Sequence, residues 1–172
     1  IYLDYNATAP IKPEVIDEMT KIMNIGGNPS SVHAVGRKAK SILESSRQSI
    51  AHLLNCRPQM ITFTSGGTEA NNIALKSTGI KHIILSAIEH DSVSQIKQQF
   101  DGKVDILNVD QYGLVSTDQL RSYLERAPKE TLVSIMLANN ETGVIQDIKK
   151  LAHITHEYGA LFHTDAIQAL GK

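Results

Sequence analysis

From residue 60 onward the chain alternates apolar runs of strand length with amphipathic runs of helix length, and this alternation constrains its fold more than any other feature. The apolar runs fall at 60–64, 83–86, 104–109, 132–137 and 160–163. Helical patterns lie between them at 69–76, 92–100, 117–126 and 148–158. Runs such as 83–86 and 132–137 are apolar almost throughout, as strands buried on both faces are. Such a succession predicts an α/β fold, a three-layer α/β/α arrangement with a mainly parallel sheet. Ser116 and Gln119 have capping-box spacing ahead of Leu120. Gly79, Gly102 and Gly159 punctuate the returns from helix to strand.

The first 60 residues read differently. Residues 1–10 are turn-rich and extended. Pro13 opens a helix where a missing N–H costs nothing, with Val15, Ile16, Met19, Ile22 and Met23 on one face. Gly26-Gly27-Asn28-Pro29-Ser30-Ser31 breaks it. A second helix is predicted over 37–54, with Ala39, Ile42, Leu43, Ile50, Leu53 and Leu54 as its stripe and Pro58 just beyond. A length of 172 residues suits one domain or most of one, and 41% hydrophobic with 20% charged residues is a globular balance. A net charge of -1 gives no electrostatic reason to bind nucleic acid or an anionic membrane. No apolar stretch reaches bilayer length. The single cysteine, Cys56, can form neither an internal disulfide nor a multi-cysteine metal cage, which fits a reducing, cytoplasmic setting. A start at Ile1 rather than Met, and an end at Gly171-Lys172 just after a helix start, lead to the expectation of a piece of a longer chain.

In sheets of this kind ligands bind where strands end and helices begin. Four post-strand loops carry chemistry. In Thr64-Ser65-Gly66-Gly67-Thr68-Glu69-Ala70-Asn71-Asn72, two glycines allow close approach of an anion to backbone N–H groups, and the helix start near Thr68 points its positive end at the same place. It matches neither a Walker A loop nor a dinucleotide fingerprint. The plainer alternative is a glycine-rich turn with a threonine cap. In Ala87-Ile88-Glu89-His90-Asp91-Ser92, His90 is placed to stack on a flat ring or exchange protons, or else is a satisfied surface histidine. In Ala138-Asn139-Asn140-Glu141-Thr142-Gly143, paired amides can orient a polar ligand, or simply build an Asn/Gly turn. In His163-Thr164-Asp165-Ala166-Ile167-Gln168, Asp165 calls for a cationic partner, which a protonated pyridine nitrogen or a structural salt bridge would supply. A flat, phosphorylated, nitrogen-bearing cofactor would use all four loops.

These segments, with Leu3-Asp4-Tyr5-Asn6-Ala7-Thr8-Ala9-Pro10 and Gly27-Asn28-Pro29-Ser30-Ser31-Val32-His33, occur in the order found in cysteine desulfurases of the class V aminotransferase family. The chain resembles the N-terminal portion of those enzymes across nearly its whole length. The resemblance implies part of the large domain of a fold type I pyridoxal-phosphate transferase over 1–172, with about 1–15 packing near a small domain that is absent here. It implies pyridoxal 5'-phosphate as cofactor. Gly67 and Thr68 match residues holding its phosphate, and His90 matches the catalytic histidine that stacks over its ring and carries protons. Asn140 matches the asparagine near the ring oxygen and substrate carboxylate. Asp165 matches the partner of the ring nitrogen, and Gln168 a donor to the ring oxygen. The implied reaction converts L-cysteine to L-alanine and passes sulfur to an enzyme persulfide for iron–sulfur cluster assembly or thiolation. The implied partners are a second copy of the complete chain in a homodimer and a sulfur-acceptor or scaffold protein, with no nucleic acid and no membrane.

The sequence departs from the family pattern in three places. It contains no Ser-x-His-Lys segment to supply the Schiff-base lysine, and Lys172 matches a non-catalytic position. Cys56 does not match the persulfide cysteine. The small domain is missing. The expectation is therefore a cofactor-binding portion that is inactive alone. Another class V enzyme, such as a selenocysteine lyase or an aminotransferase, remains an alternative, as does a non-catalytic scaffold of the same fold. A metal hydrolase built on His153, His156 or His163 with Asp165 is a weaker alternative, since no H-E-x-x-H spacing occurs and a solvated helix face accounts for His153 and His156. Lys149-Lys150 and Lys38/Lys40 are read as exposed helix faces.

Overall fold

The computed structural model describes residues 1–76 and 79–171, which group into two units, Ile1–Phe63 and Thr64–Lys172. Lys172, read above as a non-catalytic position, lies outside the described residues.

In the first unit, α1 spans Pro13–Ile25 with proline in its first turn, as predicted. None of its residues is buried, and the apolar face carrying Val15, Ile16, Met19, Ile22 and Met23 is exposed. The second helix, α2 at Ala34–Leu53, starts three residues before the apolar stripe suggests. His33 explains the early start: its Nδ1 accepts the Gly36 N–H at 3.2 Å and caps the first turn.

The expected strand at 60–64 does not form. Pro58 instead seeds a 3₁₀ turn over Pro58–Met60, closed by Met60 N–H to Arg57 O and Ile61 N–H to Pro58 O. Residues 61–64 then run without a strand partner among the described residues. The Ile61 carbonyl, which a sheet neighbour would have to pair, accepts instead from the Arg47 guanidinium, which also lies 5.0 Å from the centre of the Phe63 ring. Apolar content named a strand here, but Pro58 and Arg47 spend the backbone groups that a ladder needs.

The second unit holds four parallel strands, β1 His82–Ser86, β2 Lys103–Leu107, β3 Thr131–Ser134 and β4 Leu161–His163, in the order β2-β1-β3-β4. Helix α3, Gly67–Lys76, precedes β1. The predicted helix at 92–100 is a short α4, Asp91–Ser94, continued by a 3₁₀ segment Gln95–Gln98. Helix α5, Thr117–Leu124, and helix α6, Ile148–Glu157, complete the alternation. Ile84 lies between Asp105 of β2 and Val133 of β3 in register.

Side chains alternate across β1, so neighbouring isoleucines feed two different cores. Ile83 and Leu85 pack with Leu75 of α3, Val93 of α4 and Ile96. Ile84 packs with Leu120 and Leu124 of α5 and Leu151 and Ile154 of α6. Helices therefore cover both faces, and the three-layer α/β/α reading is correct. This also explains why the central strands β1 and β3 are buried along their whole length. His82, at the start of β1, is buried, but Thr131 Oγ1 at 3.0 Å and Asp105 Oδ2 at 2.9 Å satisfy both ring nitrogens.

Local signals close the elements. Ser116 Oγ accepts the Gln119 N–H at 3.4 Å at the start of α5, as the capping-box spacing predicts. Ser116→Ala is expected to cost about 1 kcal/mol, read as a lower urea midpoint at unchanged m-value. Gly102 has no room for a side chain, because a Cβ there would press into the Lys81 carbonyl and the Phe100 ring. Among the described residues no helix is long and apolar enough to cross a membrane.

Candidate functional site

The strand order places a switch point between β1 and β3. From β1 the chain steps outward to β2, then crosses back to β3 on the other side. In parallel α/β sheets the crevice beyond the carboxyl ends of strands at such a reversal is the usual ligand site. The loops there are 87–91 after β1 and 135–143 after β3, joined by the segment after β4.

Helix α3 enters this region by its N-terminus. Its first intrahelical bond runs from Ala70 N–H to Gly66 O at 3.1 Å, so helix geometry leaves the N–H groups of Gly67, Thr68 and Glu69 without an intrahelical acceptor. Ser65 donates both its N–H, at 2.6 Å, and its Oγ–H, at 2.7 Å, to Glu69 Oε2. Those bonds hold the Glu69 carboxyl below the usual range and fix the loop before the helix. Gly66 has no positive φ, and a Cβ on it would meet nothing within 4 Å. Neither backbone strain nor packing demands glycine there. The free space beside the helix start is what a bound anion needs.

Asp165 is buried, and its carboxylate is anchored at both oxygens. Oδ2 accepts from Asn71 Nδ2 at 2.8 Å, and Oδ1 accepts the Ile167 N–H at 3.0 Å. Asn71 Nδ2 also reaches Ser92 Oγ at 2.9 Å, so one amide ties α3, α4 and the segment after β4 together. Two bonds leave a carboxylate with acceptor capacity for a third, cationic donor. Upstream on β4, His163 Nδ1 meets Ser134 Oγ at 2.8 Å. Burial lowers its pKa, against the opposing charge of Asp165.

His90 is exposed and caps α4. Its Nδ1 accepts the Ser92 N–H at 3.1 Å. A backbone N–H only donates, so the neutral ring carries its proton on Nε2. His90 and Thr68 line one concavity, together with Asn72, Ser92 and Gln95. On its other side His90 lines a recess shared with Glu89 and Asn140. Gly67 faces the Ile167 side chain, 3.6 Å from its would-be Cβ. The structure thus gathers Gly67, Thr68, His90 and Asp165 through α3 and its partners, and puts Asn140 beside His90. Gln168 is half-buried in the turn after Asp165.

The paired asparagines divide their work. Asn139 Oδ1 accepts the N–H groups of Glu141 at 2.9 Å and Thr142 at 2.8 Å, and its Nδ2 donates to Ile88 O at 3.0 Å. Its amide is committed to building the turn and to locking the post-β3 loop onto the post-β1 loop. The plainer reading of the loop therefore holds for Asn139.

Sequence reasoning passed over two residues, Asn71 and Glu89. Asn71 follows Thr68 by three residues and so projects from the same helix face, a signal that could have found it. Glu89 accepts the Ser86 Oγ–H at 2.5 Å and the Met136 N–H at 2.7 Å on Oε1, while its buried Oε2 has no partner. Burial, with the nearby charge of Asp165 adding to it, pushes its pKa up to about 7 against those two hydrogen bonds. Thr164 Oγ1 is a second buried, unpartnered oxygen at this end of the sheet. The metal alternative gains no support from His153 and His156, which lie on an exposed face of α6, His153 3.5 Å from Glu157.

This sequence and architecture have clear relatives. The class V aminotransferase family matches residues 1–172, and the chain belongs to that family. A cysteine desulfurase IscS from Dictyoglomus turgidum is 42% identical over 182 residues, covering 99% of this chain and 45% of that protein. A selenocysteine lyase from Bos taurus is 36% identical over 211 residues, covering 100% of this chain and 48% of that protein. The crystal structure of a NifS-like protein from Rickettsia africae superposes with a TM-score of 0.92 at 40% identity, covering 99% of this chain and 49% of that one. The chain spans about half the length of the relatives it matches.

Proposed function

We propose that this chain is the cofactor-binding part of a pyridoxal-phosphate-dependent cysteine desulfurase. The observation that carries the reading is the Asp165–Asn71–Ser92 connection. It sets a buried carboxylate with spare acceptor capacity beside a helix N-terminus that has free space at Gly66. The unpartnered buried Thr164 Oγ1 at the same end of the sheet also fits a polar occupant.

In this reading the N–H groups of Gly67 and Thr68, with the Thr68 hydroxyl, hold the phosphate at the positive end of α3. Asp165 would hold the proton on the ring nitrogen, and Asn71 keeps the Asp165 carboxylate aimed. His90 would cover the ring, with its proton on Nε2 because Nδ1 accepts the Ser92 N–H. Asn140 and Gln168 supply polar contacts to the ring oxygen and substrate carboxylate. When bound, pyridoxal phosphate supplies the electron sink for bond breaking in the substrate.

The substrate is L-cysteine, with L-alanine as product and sulfur delivered to an acceptor in iron–sulfur cluster assembly or thiolation, in a cytoplasmic homodimer. No Ser-x-His-Lys segment occurs in the 172 residues, so within this reading the chain binds the cofactor and does not by itself desulfurate cysteine.

The test uses 4'-deoxypyridoxine 5'-phosphate, which keeps the ring, nitrogen and phosphate but has no aldehyde to react with surface lysines. Calorimetry is expected to show saturable binding at one site per chain, weakened by inorganic phosphate. Absence of binding would remove the cofactor reading for this chain. Alanine formation from cysteine by the pure chain would overturn its assignment as a binding part only.

A further inference from the structure

Glu89 sits at the switch point, where β1 and β3 part. Parallel strands exchange backbone hydrogen bonds until one turns away, and the last β1–β3 pair is Leu85 with Ser134. The N–H groups of Ile135 and Leu137 still pair toward the other side, with His163 O at 3.1 Å and Asp165 O at 2.9 Å. Met136 N–H points back toward β1, where no strand carbonyl remains to receive it. Glu89 Oε1 receives it at 2.7 Å, and takes the Ser86 hydroxyl at 2.5 Å as well. The side chain therefore stands in for a missing rung of the ladder.

Its second oxygen makes the arrangement unusual. Oε2 is buried with no partner. A buried carboxylate oxygen with no donor is costly, and a proton on that oxygen removes the charge. The charged surroundings give the ionised form little help. Asp165 faces it from the segment after β4, Asp91 lies on its own loop, and Glu141 lies on the loop after β3. The groups there that can become cationic are His90 on its own loop and His163 on β4, and burial opposes charging of His163. Among the described residues no lysine or arginine lines the recess that Glu89 shares with His90 and Asn140.

We propose that Glu89 is a positioning residue that works as a neutral carboxylic acid, latching the end of β1 to the end of β3 and so fixing the loops of His90 and Asn140 relative to each other. Ionisation places a second negative charge beside Asp165 and drives the carboxylate toward water, which releases the Met136 N–H. The latch is closed at acid pH and opens as pH rises through the folded pKa of Glu89, about 7. The consequence for ligand geometry rests on the cofactor reading above. The latch itself does not.

Two measurements on the full chain separate the two ideas. The Glu89 side-chain ¹³C carboxyl shift and the Met136 amide shift are followed by NMR from pH 4 to 9. Both are expected to titrate with one common midpoint near 7 in the wild type. Glu89→Gln keeps an oxygen acceptor without a charge, so its Met136 amide should stay protected from exchange and its shift should be flat with pH. Glu89→Ala should lose that protection at every pH. A carboxyl midpoint in the ordinary range near 4.5, or a Glu89→Gln amide that titrates like the wild type, would overturn the proposal. The wild-type titration decides even if the variants fold poorly. In parallel, the affinity for 4'-deoxypyridoxine 5'-phosphate should fall severalfold between pH 6 and 8.5 in the wild type and stay level in Glu89→Gln. If that compound binds neither protein, the cofactor reading fails while the NMR titration still decides the latch. If it binds both with the same pH dependence, the latch does not reach the site.

Discussion

Asp165→Ala is expected to destabilise the second unit by about 2–4 kcal/mol and to lower affinity for 4'-deoxypyridoxine 5'-phosphate by at least tenfold. The stability loss follows from what the carboxylate holds. Asn71 Nδ2 at 2.8 Å and the Ile167 N–H at 3.0 Å both lose their acceptor, and each is left in a site where Asp165 itself is only 7% exposed. A stranded buried donor costs about 1–3 kcal/mol. Asn71 keeps Ser92 Oγ as an alternative, which holds the total below the sum of two full penalties. The affinity loss follows from removing the one buried carboxylate that the ring nitrogen would meet.

Asp165→Asn sharpens the test. It keeps one acceptor oxygen but sets an NH₂ against either Asn71 or the Ile167 N–H, so stability should fall less than in the alanine variant while affinity falls nearly as far. A variant that loses stability but keeps its affinity would sink the role of Asp165 in the site. The same substitution reaches Glu89. Asp165 helps raise the Glu89 pKa, so removing its charge should bring that pKa down from about 7. The folded pKa of Glu89 lies above its ordinary value of 4.5, so the folded state binds the proton more tightly. Stability from this group is present below about 4.5 and is lost as pH rises to about 7. In Asp165→Asn that loss should end at a lower pH, which urea unfolding across pH 4 to 9 would read.

Much of this site was legible because its parts sit where period and loop chemistry agree. Real strand ends marked by apolar runs are followed by the loops of His90, Asn139-Asn140 and Asp165 at the carboxyl end of the sheet, while Gly66-Gly67-Thr68 was marked by its glycines and the helix start rather than by a strand. What escaped were relationships between distant residues. Asn71 reads as one more polar helix position until Asp165, 94 residues later, is known to lie against it. Glu89 reads as the neighbour of an interesting histidine, and only the register of β1 against β3 shows that Met136 needs its oxygen. The false strand at 60–64 has the opposite cause. Its apolar composition was judged without asking where its backbone groups would pair, and Arg47 had already taken the Ile61 carbonyl. The split of 92–100 into α4 and a 3₁₀ segment is likewise invisible to a pattern that records only which residues are apolar.

The two adjacent isoleucines of β1 offer the sharpest test of the fold that carries the site. Ile83→Ala and Ile84→Ala are each expected to cost about 2–5 kcal/mol, measured by urea unfolding of the full chain. In a sheet with one solvated face, consecutive residues differ, because one points to the core and the next to water. Here both are fully buried. Ile83 meets the layer of α3 and α4 through Leu75 and Val93, and Ile84 meets the layer of α5 and α6 through Leu120 and Ile154. Neither cavity can be refilled easily, since the surrounding side chains come from different elements and each is itself packed. Ile145, which is 67% exposed, serves as the control and should lose no more than about 0.5 kcal/mol when changed to alanine. The two layers also bear differently on the site. The Ile83 layer includes α3 and α4, which carry Asn71 and Ser92, so Ile83→Ala should loosen the Asp165 anchor and weaken ligand binding. Ile84→Ala should destabilise the fold as much while affecting binding less. A small cost at Ile83 beside a large one at Ile84 would mean that the α3–α4 layer does not pack on the sheet, and the platform for Asp165 would go with it.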